Sequence, residues 1–201
     1  MILKNESQLR EIYGIPKGRA QKKVLTSIEK HGVNFISKSP FMVLSSSSKS
    51  GKMDTSPRGG KPGFVKVLNN QLLIPDSKGN NRIDSLVNIS ETNSVGLLFM
   101  IPGIDETLRV NGKAIITTSN ETLSRFSDDK SQPISCIIVT IDEIFLHCAK
   151  AFMRSNLWDI SSQINSNDFP TMGQMMNDQL NVKGIPETRE DMKKRYLENL
   201  L

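Results

Sequence analysis

The chain has 201 residues, 37% of them hydrophobic and 23% charged, which suits one soluble domain able to bury a core without disulfides. Lysine and arginine exceed aspartate and glutamate by 26 − 21 = 5, a mild surplus spread along the chain; aromatics make up 5% of residues, too few for the stacking platforms of single-strand nucleic-acid binders. The two cysteines, Cys136 and Cys148, form no CxxC and the two histidines, His31 and His147, lie far apart, which argues against a four-ligand zinc site.

The opening "MILKNESQLREIYG" carries charges too early for a signal peptide. No apolar run approaches the roughly 20 residues of a membrane-spanning helix. With two cysteines and no disulfide pattern, the expectation is a cytoplasmic protein. "SQLREIYG" predicts a helix capped by Ser7 and stopped by Gly14. "KGRAQKKVLTSIEKHG" predicts a second helix, with Val24, Leu25 and Ile28 on one face and Gly32 as its stop. From Phe41 the texture changes. "FMVLSSSS" reads as a strand running into a turn, "KSGK" as a hairpin with Gly51 at positive φ, and "PGFVKVLNNQLLIPD" as two strands around Asn69-Asn70. "NRIDSLVNISETN" has helical spacing, with Asn80 or Asn81 as its cap. "SVGLLFMIPG" is a buried strand. "ETLRVNGKAIITT" alternates and bends at Gly112. "NETLSRFSDD" is a short helix, and "PISCIIVTIDEIFLHCAKAFMRS" a long strand running into a helix. The final "ETREDMKKRYLENLL" reads as an amphipathic helix with Met192, Tyr196 and Leu200 on one side.

Around "SSSSKSGKMDTSPRGG" a nucleotide-binding P-loop must be weighed. That motif needs a glycine where Ser46 stands and a hydroxyl where Met53 stands, and Pro57 follows where a helix should run. The P-loop is rejected. Six or seven short strands, one inserted helix and helices at both ends suit a mainly β, α+β-decorated fold: an antiparallel split barrel. The expected division is one domain over 1–201, with N-terminal helices at 1–39, the barrel at 40–158 and a C-terminal helical extension at 159–201.

Three stretches, "DTSPRGGKPGFV", "LLIPDSKGNNRIDSLVNI" with "VGLLFMIPG" and "ETLRVNGKA" behind it, and "HCAKAFMRSNLW", together resemble the FMN-binding split-barrel flavoproteins of the pyridoxamine 5'-phosphate oxidase-like superfamily. The resemblance runs from about Ser37 to Trp158. It implies a homodimer with FMN in each of two clefts between subunits. It also implies that Asn80, Asn81 and Arg82 grip the phosphate where the oxidase has a Ser-Arg-Lys run, with a second cation drawn from Lys78, Arg58, Lys150 or Arg154. The strand Thr55-Ser56-Pro57-Arg58-Gly59 and the strand end Ile74-Pro75-Asp76 would give main-chain contacts to the ring. Thr107 stands where a flavin-contacting glutamine would be, and Lys150, Arg154 and Trp158 would reach the cleft near the dimer seam.

The chemistry of these residues agrees with that assignment. A helix entrance offers free N–H groups and a positive dipole end to a dianionic phosphate. Arg82 adds a fork of donors matched to phosphate oxygens. No catalytic residue is assigned, because the flavin would carry the electron chemistry and the protein would position it. Adjacent strand residues point to opposite faces, so His147 and Cys148 are not expected to act as a base–thiol pair. An Arg- and Trp-bearing tail like that of the vitamin B6 oxidase is missing from "ETREDMKKRYLENLL". The expectation is therefore an FMN-dependent oxidoreductase acting on another small molecule, with NAD(P)H as a possible donor and no membrane. The competing readings are a non-catalytic flavin, F420 or haem module, and a nucleic-acid-binding domain using "KGRAQKK".

Overall fold

The computed structural model describes residues 2–127 and 132–197. Seven strands form one sheet: β1 (Phe41–Ser47), β2 (Met53–Gly59), β3 (Lys66–Leu68), β4 (Gln71–Asp76), β5 (Ser94–Met100), β6 (Thr107–Thr117) and β7 (Ser135–His147). Their order is β2-β1-β5-β6-β7-β4-β3, and every neighbouring pair is antiparallel. Strands β2 and β4 are not hydrogen-bonded neighbours, yet Arg58 of β2 forms an ion pair with Asp76 of β4. The sheet therefore curls until these two strands meet through side chains, as a split barrel requires.

The barrel interior follows from period-two alternation. Met42, Leu44 and Ser46 of β1, Val95, Leu97 and Phe99 of β5, and Leu108, Val110 and Ala114 of β6 are all buried on one face. Strand β4 departs from alternation: Leu72, Leu73 and Ile74 are all buried. The cause lies in the segment between β6 and β7. Helix α5 (Asn120–Leu123) and a 3-10 turn (Ser124–Phe126) place Leu123 and Phe126 outside the barrel, in a small second core with Leu73 and Cys136. Strands covered on both faces lose their polar alternation, which is why "SCIIV" reads as a continuous apolar run. Strand β6 bends at Gly112 as expected, through a register shift between Asn111 and Gly112 against β7.

Helix α4 (Asp84–Thr92) lies across β1 and β2. The serine run explains how it is held. Asn88 Nδ2 donates to Ser46 Oγ at 3.1 Å, Thr92 Oγ1 donates to the Ser47 carbonyl at 2.9 Å, and Ser85 Oγ donates to Asp54 Oδ2 at 2.5 Å. These hydroxyls and amides give a polar, geometrically specific seat where an apolar one would only fix distance.

Several local expectations are corrected. Helix α1 (Glu6–Tyr13) is capped by Asn5, whose side chain accepts from the Gln8 N–H, and not by Ser7; Gly14 does end it, at φ 70°. The expected helix over 17–32 does not exist. Only α2 (Arg19–Lys22) forms there, and Leu25 bridges to Ile144 of β7 through hydrogen bonds of 3.0 and 2.8 Å. The next helix, α3 (Lys30–Lys38), starts at the Glu29 cap and carries Gly32 within its first turn. Tertiary pairing at Leu25 overrode local propensity. Gly32 serves close packing there, since a Cβ would lie 3.0 Å from Ile28 Cγ1 and 3.4 Å from Ile144 Cδ1.

Helix α4 is entered through Ile83, not capped by Asn80 or Asn81; Asn80 Oδ1 accepts from the Arg82 N–H instead. After β7 come α6 (Lys150–Ser155), α7 (Met172–Leu180), which the sequence reading missed, and α8 (Arg189–Leu197). Helix α8 has no buried residue, and Leu200 lies outside the described residues. The segment 159–197 is bonded within itself. Arg189 Nη2 donates to the Ser166 and Phe169 carbonyls, Thr171 Oγ1 to the Glu187 carbonyl, and Arg195 to Glu187.

Candidate functional site

Strand β2 and the entrance of α4 face each other across a cavity of about 200 Å³ lined by Asp54, Thr55, Ser56, Pro57, Arg58, Asn80, Arg82, Ile83, Asp84 and Ser85. Two stretches more than twenty residues apart in sequence are thus brought to one place. Pro57 can sit in β2 because β2 is a sheet edge, where a missing N–H breaks no inner ladder.

The helix entrance is unusual. Asn81 and Ile83 both have positive φ, 60° and 47°. For a β-branched residue such as Ile83 this is a strained conformation, costing on the order of 1–3 kcal/mol, and strain of this kind concentrates at functional sites. Ile83 also brings no side-chain acceptor, so among the described residues nothing accepts from the N–H groups of Asp84, Ser85 or Leu86. An uncapped first turn with a positive dipole end is suited to an anion. Asp84 partly fills that role itself and is compensated by Arg82, whose Nε donates to Asp84 Oδ2 at 2.9 Å. Asp84 raises the pKa of the exposed Arg82 guanidinium, mainly through this hydrogen bond. The other four Arg82 donors have no partner among the described residues and are available to oxygen ligands.

Arg58 is engaged differently. Its side chain is 21% exposed and that of its ion-pair partner Asp76 is 15% exposed, while its buried Nε has no hydrogen-bond partner. Arg58 is consequently a latch between β2 and β4 before it can be anything else. Lys78, Gly79, Asn80, Asn81 and Arg82 are exposed along the loop leaving β4.

On one edge of β4, Ile74 pairs with Ile137, Pro75 with Cys136 and Asp76 with Ser135, while β3 pairs only with Gln71–Leu73 on the other edge, so Ile74–Asp76 has no ladder partner on that side; the Ile74 side chain is completely buried. Gly59 ends β2, and a Cβ there would come within 3.4 Å of the Pro40 carbonyl; at Gly60 it would meet Phe64 Cβ at 2.7 Å. Gly60 therefore answers to close packing inside the chain, whereas a Cβ at Gly59 would make an ordinary contact. Thr107, Lys150, Arg154 and Trp158 do not line this cavity. Thr107 is buried at the start of β6, opposite His147, with β1 and β5 between it and β2 in the sheet order. Trp158 packs its ring on Phe152 and donates Nε1–H to the Ile104 carbonyl at 2.9 Å. Lys150 and Arg154 are exposed on α6, with no ion pair among the described residues.

The two thiols differ sharply. Cys136 is buried, and burial pushes its thiol up to about 11, whereas Cys148 is exposed. The thiolate is the reactive form. The native protein should therefore release one equivalent of thiolate product per chain with Ellman's reagent at pH 8 and two after denaturation. Two equivalents from the native protein would contradict the buried placement of Cys136. Among the described residues no group of three His, Cys, Asp or Glu side chains could hold a metal, and no helix is long and apolar enough to cross a membrane.

The sequence reading missed the second wall of this region. A larger groove of about 600 Å³ begins at Asp54, Arg82 and Asp84 and extends along the β1–β2 hairpin and α4. Only the failed P-loop match drew attention to that hairpin.

The pyridoxamine 5'-phosphate oxidase family model matches residues 28–148, more than half of the chain. Among solved structures, HupZ from Group A Streptococcus is similar over 59% of this chain and 93% of its own, at 13% identity and a TM-score of 0.50. A putative pyridoxamine 5'-phosphate oxidase from Lactobacillus delbrueckii covers 60% and 95% at 17% identity and a TM-score of 0.46. HutZ, the haem storage protein of Vibrio cholerae, covers 60% and 94% at 9% identity and a TM-score of 0.45. No curated protein matches the sequence. An antiparallel seven-stranded split barrel, a strained helix entrance facing its β2 edge and the family match over 28–148 lead to one conclusion: this chain belongs to the pyridoxamine 5'-phosphate oxidase family.

Proposed function

We propose that the protein binds the FMN moiety of a flavin in the cavity between β2 and the entrance of α4, and that it works as a homodimeric flavin-dependent oxidoreductase on a small molecule. The observation that carries this is the uncapped, positive-φ entrance of α4 with Asn80 and Arg82 beside it, facing the Thr55–Arg58 backbone across one cavity. The donor set fits a phosphate: free helix N–H groups, a guanidinium with unused donors, and a neutral amide. The outer edge of β2 offers unpaired main-chain groups to a planar ring with carbonyl and N–H functions. A bound flavin would supply the electron transfer, while this chain's residues bind, orient and shield it.

Arg58 is already compensated by Asp76, so Lys78 is the better second cation from the same chain. Thr107, Lys150, Arg154 and Trp158 do not line this cavity within one chain. Their assigned roles belong to the partner's cleft in a homodimer.

The protein should purify yellow, or take up added FMN with quenching of flavin fluorescence. Arg82→Ala removes a charge-assisted donor and should weaken FMN binding by about tenfold or more, the equivalent of about 1.5–3 kcal/mol. Riboflavin, which lacks the phosphate, should bind the variant and the wild type alike. A protein that is colourless and takes up no FMN would refute the proposal.

A second, non-catalytic reading as a cofactor-holding module draws on the carboxylates nearest the cavity. Asp54 and Asp84 are occupied by Ser85 and Arg82, which leaves no free acid–base pair there. Tight FMN retention without bleaching by NADPH under anaerobic conditions would favour it.

A further inference from the structure

We infer that the larger groove beside the proposed flavin cavity is a subsite for the adenylate half of a flavin dinucleotide, so that the chain prefers FAD to FMN. This rests on the flavin reading above and extends it past the phosphate. The groove of about 600 Å³ shares Asp54, Arg82 and Asp84 with the smaller cavity, so the two spaces meet at the proposed phosphate position. It is therefore open to whatever a ligand carries beyond that phosphate. Its size lies in the usual range for a small-molecule site, roughly 300–1,000 Å³.

The charges in the groove are unevenly committed. Each of its three carboxylates already has a donor: Asp54 accepts from Ser85 Oγ, Asp84 from Arg82 Nε, and Glu91 Oε2 from the Lys49 backbone N–H at 3.0 Å. The ammonium groups of Lys49 and Lys52, on the β1–β2 hairpin, have no hydrogen bond or ion pair among the described residues. The charged side chains of the groove balance in sign, and the ammonium groups of Lys49 and Lys52 are the donors in it that are free to turn to a second phosphate. Glu91 keeps Oε1 free, an acceptor suited to a ribose hydroxyl.

The apolar part of the wall fits a flat base. Met53 is 65% exposed at the start of β2 and Val87 is 44% exposed on α4, and both line the groove. A thioether and a branched aliphatic side chain give the groove an apolar stretch against which a flat base can lie. The hairpin that carries Lys49 and Lys52 is rigid for its size. Gly51 takes φ 84°, the Ser48 side chain accepts from the Lys52 N–H, and Glu91 ties Lys49 to α4.

The test is a fluorescence titration of flavin-free protein with FMN, FAD and riboflavin at fixed ionic strength. Wild type should bind FAD about tenfold or more tightly than FMN. Lys49→Ala/Lys52→Ala, on the exposed hairpin, should bring FAD down to the FMN value and leave FMN binding unchanged. Val87→Asp, on α4, should do the same independently and guards against a misfolded hairpin variant. FAD binding no tighter than FMN, or variants that weaken both flavins equally, would overturn the inference while leaving the flavin assignment intact. Failure to bind any of the three ligands would overturn both.

Discussion

Gly112→Ala is expected to destabilise the protein by about 3 kcal/mol, the upper part of the range for overpacked core sites. Gly112 sits at the register shift where β6 crosses β7, and its backbone lies almost against the neighbouring strand. A Cβ at this position would fall 2.2 Å from the Thr140 carbonyl oxygen, 3.1 Å from the Thr140 carbonyl carbon and 3.0 Å from Val139 Cγ1. The nearest atoms belong to a backbone already committed to two ladders, so nothing can swing aside. The whole β6–β7 pairing has to open. For a chain of this size the melting temperature should fall by about 6–12 °C. Gly79→Ala is the control, because no atom lies within 4 Å of a Cβ there; it should shift stability by less than about 0.5 kcal/mol. Equal urea midpoints for Gly112→Ala and wild type would show that the two strands do not approach so closely.

Breaking the Arg58–Asp76 latch should cost nearly as much. Asp76→Ala or Arg58→Ala leaves a mostly buried charge without its partner, a change that destabilises by about 3 kcal/mol when the site cannot relax. Replacing both partners, as in Arg58→Met/Asp76→Leu, should recover most of that loss. The desolvation penalty of both groups disappears, and so does the unpartnered Arg58 Nε. A double-mutant cycle in urea reads the coupling directly. Additive single effects would mean that the two side chains do not hold β2 to β4.

The latch also bears on the cavity, since β2 forms one wall and Arg58 lines it. A barrel split between β2 and β4 widens that wall. FMN affinity should therefore fall in the Asp76→Ala variant although Asp76 itself does not line the cavity. A loss of stability with unchanged FMN affinity would separate the latch from the site.

Alternation of apolar residues, turn residues and chain length were enough to expect six or seven antiparallel strands and the helix inserted before β5, while the strand over Thr55–Gly59 was legible only through the family resemblance. Those signals are local: period two for β1, β5 and β6, positive-φ tolerance at Gly51 and Asn69, helical spacing over Asp84–Thr92. The runs around Ser56 and Arg82 stood out as contiguous motifs through the family resemblance, and the fold brings them to one cavity.

What depends on distant partners was not legible. Leu25 left its helical pattern because Ile144 offers it two backbone hydrogen bonds, and Gly32 sits inside α3 without a side chain because a Cβ there would lie 3.0 Å from Ile28 Cγ1. Arg58 looked like a free cation, yet closing the barrel placed Asp76 beside it. Ile83 gave no sign of a strained helix entrance, since only the seat of α4 on Ser46, Ser47 and Asp54 holds it there. Local sequence sets which backbone conformations are cheap. The tertiary fold decided which costly ones are kept, because only it supplies the long-range contacts that offset them.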